Sequence, residues 1–342
     1  MKEKIAVIGG GSWGTALAVV LNNNGYNVYL RDISEKRVKE INEEHVNSYL
    51  SGIELPKELR ATTSLEEAVK GAKAVVVVVP SHIVRTVSKE LKGLLDKDIV
   101  IVTASKGIEE ESHLRMSEVI KEELDDKFSD KIVALSGPSH AEEVILNHPT
   151  TVVVANKNKE LAQQVQNMFM SDSFRVYTNP DIIGVELGGA VKNIIAIAAG
   201  ISDGLDFGDN ALAALITRGI TEIKRLGVAM GAESVTFSGL TGLGDLIVTC
   251  ASEHSRNRRL GFKIGSGKSL EEALSEMEMV AEGVRTAKAV YNLSHKLDIE
   301  MPIVDQMYKI LFENKDPKLV VSDLMLRGAK YEIESIAMEK EW

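Results

Sequence analysis

The chain has 342 residues, of which 44% are hydrophobic and 5% aromatic, and carries a formal charge of −10 at pH 7. That length is too great for one core and predicts two domains, and the acidic balance argues against a general binder of nucleic acid or anionic membrane. An anionic ligand must therefore meet a local cluster of cations.

Lys2-Glu3-Lys4 runs straight into a strand with no apolar stretch behind it, so no signal peptide is expected. No apolar run reaches about 18 residues without polar interruption, so no membrane insertion is expected. The single cysteine, Cys250, excludes an internal disulfide and fits a reducing cytoplasm. Its neighbours Val248, Thr249 and Ala251 offer no activating base, which makes it a core residue rather than a nucleophile. The seven histidines show no metal-ligand spacing, and no metal is expected.

Ile5–Ile8 is a short apolar run followed by Gly9-Gly10-Gly11-Ser12-Trp13-Gly14 and a helix over Thr15–Asn24, stopped at Gly25. Strand, G-x-G-x-x-G and helix in that order predict a dinucleotide site. The glycines permit a tight turn and close backbone approach to a pyrophosphate, which rests on the unpaired N–H groups of the helix start. A second strand, Asn27–Leu30, ends in Arg31-Asp32. An acidic residue about 20 positions past the glycines is expected to bind the adenosine ribose hydroxyls, so Asp32 favours NAD over NADP, although Arg31 or Arg37 is available to a 2′-phosphate.

A helix over Ser34–His45, a loop holding Tyr49 and a capping box of Ser64 with Glu67 come next. Ala74–Val79 and Ile99–Thr103 are unbroken apolar runs of the kind found in the middle of a parallel sheet. They empty into Pro80-Ser81-His82 and Ala104-Ser105-Lys106-Gly107, at the sheet edge where such folds bind ligands. Lys106 there is either a cofactor or substrate contact or a surface charge. Ile132–Leu135 leads to Ser136-Gly137-Pro138-Ser139-His140-Ala141-Glu142-Glu143, where Ser139 and Glu142 form a capping box at a helix start that also faces the cleft. Thr151–Ala155, a helix over Lys159–Met170 and a strand at Phe174–Tyr177 complete a first domain, residues 1–180.

After the Asn179-Pro180 turn signal the pattern is helical, giving a second domain over 181–342. Leu187–Ile201 is apolar or small on every face and is therefore a buried helix. Its polar side chains are Lys192 and Asn193. At helical spacing Lys192 has Gly188, Gly189 and Ala196 as neighbours, which leaves room for a ligand beside the amine. A desolvated lysine suits proton transfer near neutral pH, and the alternative is a lysine snorkelling from the helix end. Gly200 to Asn210 reads as a glycine-rich loop before a helix over Ala211–Lys224. A second such loop, Ser238–Asp245, opens a helix at Leu246–Ala251, with Asp245 either an N-cap or a carboxylate for Lys192. His254-Ser255-Arg256-Asn257-Arg258-Arg259 is the densest basic cluster and suits a phosphate monoester, with a solvated face as the alternative. The remaining helices, ending at Trp342, read as structural or dimeric.

Gly189-Ala190-Val191-Lys192-Asn193 with Ala196, Gly200, Asp203-Gly204, Gly208 and Asn210 is similar to the signature of NAD-dependent glycerol-3-phosphate dehydrogenases. Five ordered motifs, Gly9–Gly14, Ser105–Ile108, Gly137–Glu143, Gly189–Asn210 and Gly239–Asn257, extend this along nearly the whole chain, which resembles the bacterial NAD(P)-dependent members. The resemblance implies a Rossmann-type domain followed by an all-helical substrate-binding domain, and reduction of dihydroxyacetone phosphate to sn-glycerol 3-phosphate for glycerophospholipid synthesis by a cytoplasmic homodimer.

The same resemblance assigns roles. Lys192 is the catalytic acid/base, with Lys106, Asn193 and Asp245 positioning and polarising. Gly137, Ser139 and Thr249 meet the substrate, and Ser255, Arg256 and Asn257 hold its phosphate. The cofactor is expected against Gly9, Gly11, Ser12, Trp13, Gly14, Arg31, Asp32 and Tyr49, and further along against Lys106, Ala141, Arg256, Val280 and Glu282. One departure stands out: many members carry a His-Arg pair where this chain has Ile33-Ser34. The rival readings are a 3-hydroxy-acid dehydrogenase of related architecture, which has no need of the Ser-Arg-Asn cluster, and a non-catalytic dinucleotide sensor, which has no need of a lysine in an apolar helix.

Overall fold

The computed structural model describes residues 2–328 other than Glu278, together with residues 331–332; the end of the chain read above as structural or dimeric, from 333 to Trp342, lies outside the described residues. Eight strands form one sheet: β1 (Lys4–Ile8), β2 (Asn27–Arg31), β3 (Arg60–Thr62), β4 (Ala74–Val77), β5 (Val100–Thr103), β6 (Ile132–Ser136), β7 (Thr150–Ala155) and β8 (Phe174–Asn179). Their order is β3-β2-β1-β4-β5-β6-β7-β8, parallel as far as β6, after which β7 runs antiparallel to β6 and β8 parallel to β7.

The side-chain period of two explains the unbroken apolar runs. Ile5, Val7, Val76 and Val102 face one layer of helices, Ala6, Ile8, Val75 and Ile101 face the other, and both faces are buried. β3 escapes a reading by periodicity because it is three residues long, but it pairs with β2 in register from Tyr29↔Arg60.

Asp181 starts the helical half. Its carboxylate accepts from Gly184 N at 2.9 Å as an N-cap and also from Glu233 N and Thr236 Oγ1, so it fixes the entry of the central helix, Ile182–Gly204. Every residue of that helix from Gly184 to Ile201 is buried. By length and composition it is a membrane-span candidate, but it runs through the middle of the helical half. The expected loop from Gly200 to Asn210 is corrected here: the helix continues to Gly204, only Leu205–Phe207 turn, and the next helix runs over Gly208–Ala229. Gly200 and Gly204 serve packing. A Cβ on either would meet the backbone of Arg258 or Phe262 in the helix Arg256–Gly265, and Gly261 and Gly265 on that helix face Ile197 and Ile201 in the same way. Four missing side chains let two helix backbones touch.

Candidate active site

The central helix presents Lys192 to the carboxyl edge of the sheet. Lys192 is 5% exposed, and its Nζ donates to Asp245 Oδ1 and, at 2.7 Å, to Thr249 Oγ1. Asp245 is the first residue of the helix Asp245–Ala251, whose N-cap position is Gly244, so it is not the cap that its sequence context allowed. Its second oxygen accepts from Lys106 Nζ at 2.8 Å, and Lys106 also donates to the Gly137 carbonyl at 3.2 Å. Lys106 follows β5 and Gly137 follows β6, so one buried carboxylate from the helical half holds two ammonium groups, one from each half.

Charge and burial set the chemistry of this trio. Burial of the Lys192 ammonium, opposed by Asp245 and reinforced by Lys106, brings its pKa down to about 7. Burial alone would push Asp245 up, but the two ammonium groups outweigh it and hold the carboxyl below its usual range. Two potential cations on one anion leave positive charge uncompensated and available to an anionic ligand. The room for a ligand expected from Gly188 and Gly189 is corrected here: a Cβ on Gly189 would run into Ser136 Oγ and one on Gly188 into the Thr241 carbonyl, so these glycines let neighbouring protein close on the helix.

Asn193 and Asn257 are brought together: Asn257 Nδ2 donates to Asn193 Oδ1 at 3.0 Å, and Asn257 Oδ1 accepts from Gly283 N at 2.9 Å. Within the basic cluster the residues therefore separate by task. Ser255 caps the helix Arg256–Gly265 by accepting from Arg258 N, Arg258 pairs with Asp203 across the two packed helices, and Arg256 reaches toward the Val280 carbonyl. Burial lowers the Arg256 pKa.

Ser139 donates to the Gly137 carbonyl at 3.0 Å, and the helix Ala141–Ile145 has His140 at its N-cap without a side-chain bond, so the expected Ser139–Glu142 box does not form. The Ser64 box forms in part: Ser64 accepts from Glu67 N, but Glu67 takes its bond from Thr62 Oγ1. His140 was given no role by the sequence reading. Its Nε2 is buried without a partner, and burial followed by the charge of Lys192 lowers its pKa, so it adds a neutral ring to the cleft. A histidine inside the Gly137–Glu143 loop was the available signal.

The glycine loop fits a dinucleotide. Gly9 lies at φ +125° with the Val78 carbonyl 2.6 Å from where a Cβ would be, so only glycine closes the turn. A Cβ on Gly11 would meet nothing within 4 Å, and the helix Ser12–Asn23 begins there with no side-chain cap, leaving its first N–H groups facing open space. Trp13 Nε1 is buried without a partner beside this turn, and Ala141 begins a short helix packed on the same first helix.

Farther along the edge, Arg31 turns to Glu90 at 3.8 Å, and Asp32 is bonded to Arg37, which stacks on Tyr49. Glu282 accepts from Ser81 N at 3.1 Å and Ser81 Oγ at 2.5 Å at the end of β4, whereas Val280 beside it is exposed. Cys250 is buried, and burial pushes its thiol up to about 12. Of the predicted residues, the lysine trio and the glycine loop lie at the sheet edge with Asp32 and Tyr49 farther along it, and the asparagine–arginine wall belongs to the helical half.

Comparison with known proteins is consistent along the chain. Family models for the N-terminus and the C-terminus of NAD-dependent glycerol-3-phosphate dehydrogenase match residues 4–162 and 181–322. A Pelotomaculum thermopropionicum protein named glycerol-3-phosphate dehydrogenase (NAD(P)+) is 54% identical over 339 residues, 99% of this chain and 97% of its own. A Listeria innocua protein of the same name is 55% identical over 335 residues, 98% of this chain and 99% of its own. The crystal structure of glycerol-3-phosphate dehydrogenase from Coxiella burnetii superposes with a TM-score of 0.90 at 41% identity, covering 95% of this chain and 99% of that one.

Proposed function

The chain belongs to the NAD-dependent glycerol-3-phosphate dehydrogenase family, and from that premise we propose how its own residues carry the reaction. It is an NAD(P)-dependent oxidoreductase that interconverts dihydroxyacetone phosphate and sn-glycerol 3-phosphate. The observation that carries the residue assignment is the Lys192–Asp245–Lys106 arrangement at the sheet edge.

Bound NAD(P)H supplies the hydride to C2 of the ketone. Lys192 gives its proton to the oxygen at C2 as charge develops there, and in the reverse direction takes it back; a pKa of about 7 keeps both forms populated. Lys106 places a second positive charge beside that oxygen, anchored by the Gly137 carbonyl. Asp245 and Thr249 orient the Lys192 amine. Asn257, through Asn193 and Gly283 N, holds the wall from which Arg256 meets the substrate phosphate, which supplies binding energy remote from the reacting carbon. The product is a glycerophospholipid precursor, and the family resemblance supports a cytoplasmic homodimer, which sedimentation of the purified protein tests.

The experiment is the initial rate of dihydroxyacetone phosphate reduction by wild type and Lys192→Ala. We expect kcat to fall by about 10²–10⁴, the range of general acid catalysis, while NADH still binds. A variant as fast as wild type removes Lys192 from the proton-transfer role.

A further inference from the structure

At the far end of the sheet edge from the lysines, Asp32 is 6% exposed and lies against the glycine loop: a Cβ on Gly10 would collide with its carboxylate. That is the position at which folds of this type meet the adenosine ribose. The carboxylate is already engaged. It accepts from Ser34 N at 2.8 Å, and both of its oxygens accept from Arg37 Nη1 at 3.0 Å. The Arg37 guanidinium lies 4.0 Å over the Tyr49 ring, and its Nε is buried without a hydrogen-bond partner.

Tyr49 is fixed in turn. Asn47, 1% exposed, accepts from Tyr49 N and donates to the Gly10 carbonyl and Thr15 Oγ1, which ties the tyrosine turn to the glycine loop. Asp32, Arg37 and Tyr49 therefore form one built stack on the nucleotide site. Its ionic groups are one carboxylate and one guanidinium, with Arg31 turned away to Glu90 and Lys36 exposed and paired with Glu40.

We infer that Arg37 is the residue that sets the choice between the two nicotinamide cofactors, by receiving a 2′-phosphate where Asp32 receives a 2′-hydroxyl. A lone aspartate at this place repels a 2′-phosphate. Here its charge is neutralised by a guanidinium whose fork suits phosphate oxygens, and whose stacking on Tyr49 fixes its plane while one N–H remains unsatisfied. A 2′-phosphate competes with Asp32 for the terminal Nη donors of that guanidinium, whereas with a 2′-hydroxyl Arg37 keeps its bonds to Asp32. One stack then admits both cofactors, and the Ile33-Ser34 positions take no part: Ile33 is 79% exposed, and the Ser34 hydroxyl is occupied as the cap of the helix Glu35–Lys39.

The inference rests on the reading of this edge as the nucleotide site, and its test needs no turnover. Calorimetric titration of the full-length protein with 2′,5′-ADP and with ADP gives the ratio of the two affinities, which reads the 2′-phosphate alone. Arg37→Ala is expected to shift that ratio against 2′,5′-ADP by about tenfold or more, and Asp32→Asn to shift it toward 2′,5′-ADP by a similar factor. Arg37→Gln, which keeps a polar but uncharged and shorter side chain, is expected to follow Arg37→Ala if the alanine variant does not fold. A ratio unchanged in the Arg37 variants, with both nucleotides weakened equally, would make Arg37 a brace for Asp32 and overturn the inference. Failure of wild type to bind either nucleotide would instead overturn the reading of the site.

Discussion

Two buried carboxylates lie between the sheet and the helical half, and they are built from the same kinds of group. Glu186 on the central helix accepts from Arg115 Nη1, Ser117 N and Ser117 Oγ, at the start of the helix Met116–Glu123. Asp245, packed against the same helix, accepts from Lys106 and Lys192. The difference is the balance. At Glu186 one buried guanidinium meets one buried carboxylate, so the buried charges balance; the second carboxylate on Arg115, Glu118, is exposed to solvent. At Asp245 two amines share one carboxylate, and one of them is held near pH 7 between its two forms. Stoichiometry separates a clamp from the proposed reaction centre.

The most severe way to break this comparison is to remove the cation from the clamp. Arg115→Ala leaves Glu186 buried with the neutral donors of Ser117 and no cation, and is expected to lower unfolding stability by about 3–5 kcal/mol, read as the midpoint of denaturant unfolding. At a temperature where the variant is folded, kcat should remain within a few-fold of wild type, because no group of the lysine trio has changed. Loss of turnover without loss of stability would erase the distinction between the two sites.

The converse change is Asp245→Asn. It keeps the shape but leaves two amines with no anion between them, and kcat for reduction is expected to fall by about 10², or roughly 2.7 kcal/mol of transition-state stabilisation. The carboxylate raises the Lys192 pKa, so its removal shifts the pH at which reduction fails further down. A smaller effect is expected at the wall. Asn257→Ala loses two neutral hydrogen bonds, to Asn193 and from Gly283 N, and should cost about 1 kcal/mol for each, measured as a drop in stability with a modest rise in KM for dihydroxyacetone phosphate.

Much of the fold was legible because its signals are local. The apolar runs read at Ile5–Ile8, Ala74–Val79 and Ile99–Thr103 hold strands for the period-two reason, the last two trimmed to Ala74–Val77 and Val100–Thr103, and Gly9 takes its turn through a φ that other residues avoid. Lys192 was legible as a cation in an apolar run, with snorkelling from the helix end as the other reading, and its burial in the structure sets that alternative aside. What stayed hidden is long-range. Glu186 and Arg115 are 71 positions apart, and nothing near either names its partner. Gly200 and Gly204 look like loop glycines until the helix Arg256–Gly265 is seen lying on them, since a glycine that permits a turn and a glycine that permits close packing are written with the same letter. Asp32 was read as a ribose ligand with Arg31 or Arg37 available beside it, and a sequence does not show that it is Arg37, five residues on, that folds back over the carboxylate while Arg31 turns to Glu90.

The central claim is that Lys192 exchanges a proton near neutrality because it is buried beside Asp245 and Lys106. The direct measurement is the pH dependence of kcat in both directions. Burial lowers the lysine, so its protonated form is lost as pH rises through about 7 and its neutral form is gained over the same interval. Reduction of dihydroxyacetone phosphate is therefore expected to decline, and oxidation of sn-glycerol 3-phosphate to increase, with a shared midpoint near 7. Profiles that stay flat through neutrality and turn only near pH 10, about where an unperturbed lysine titrates, would contradict the account.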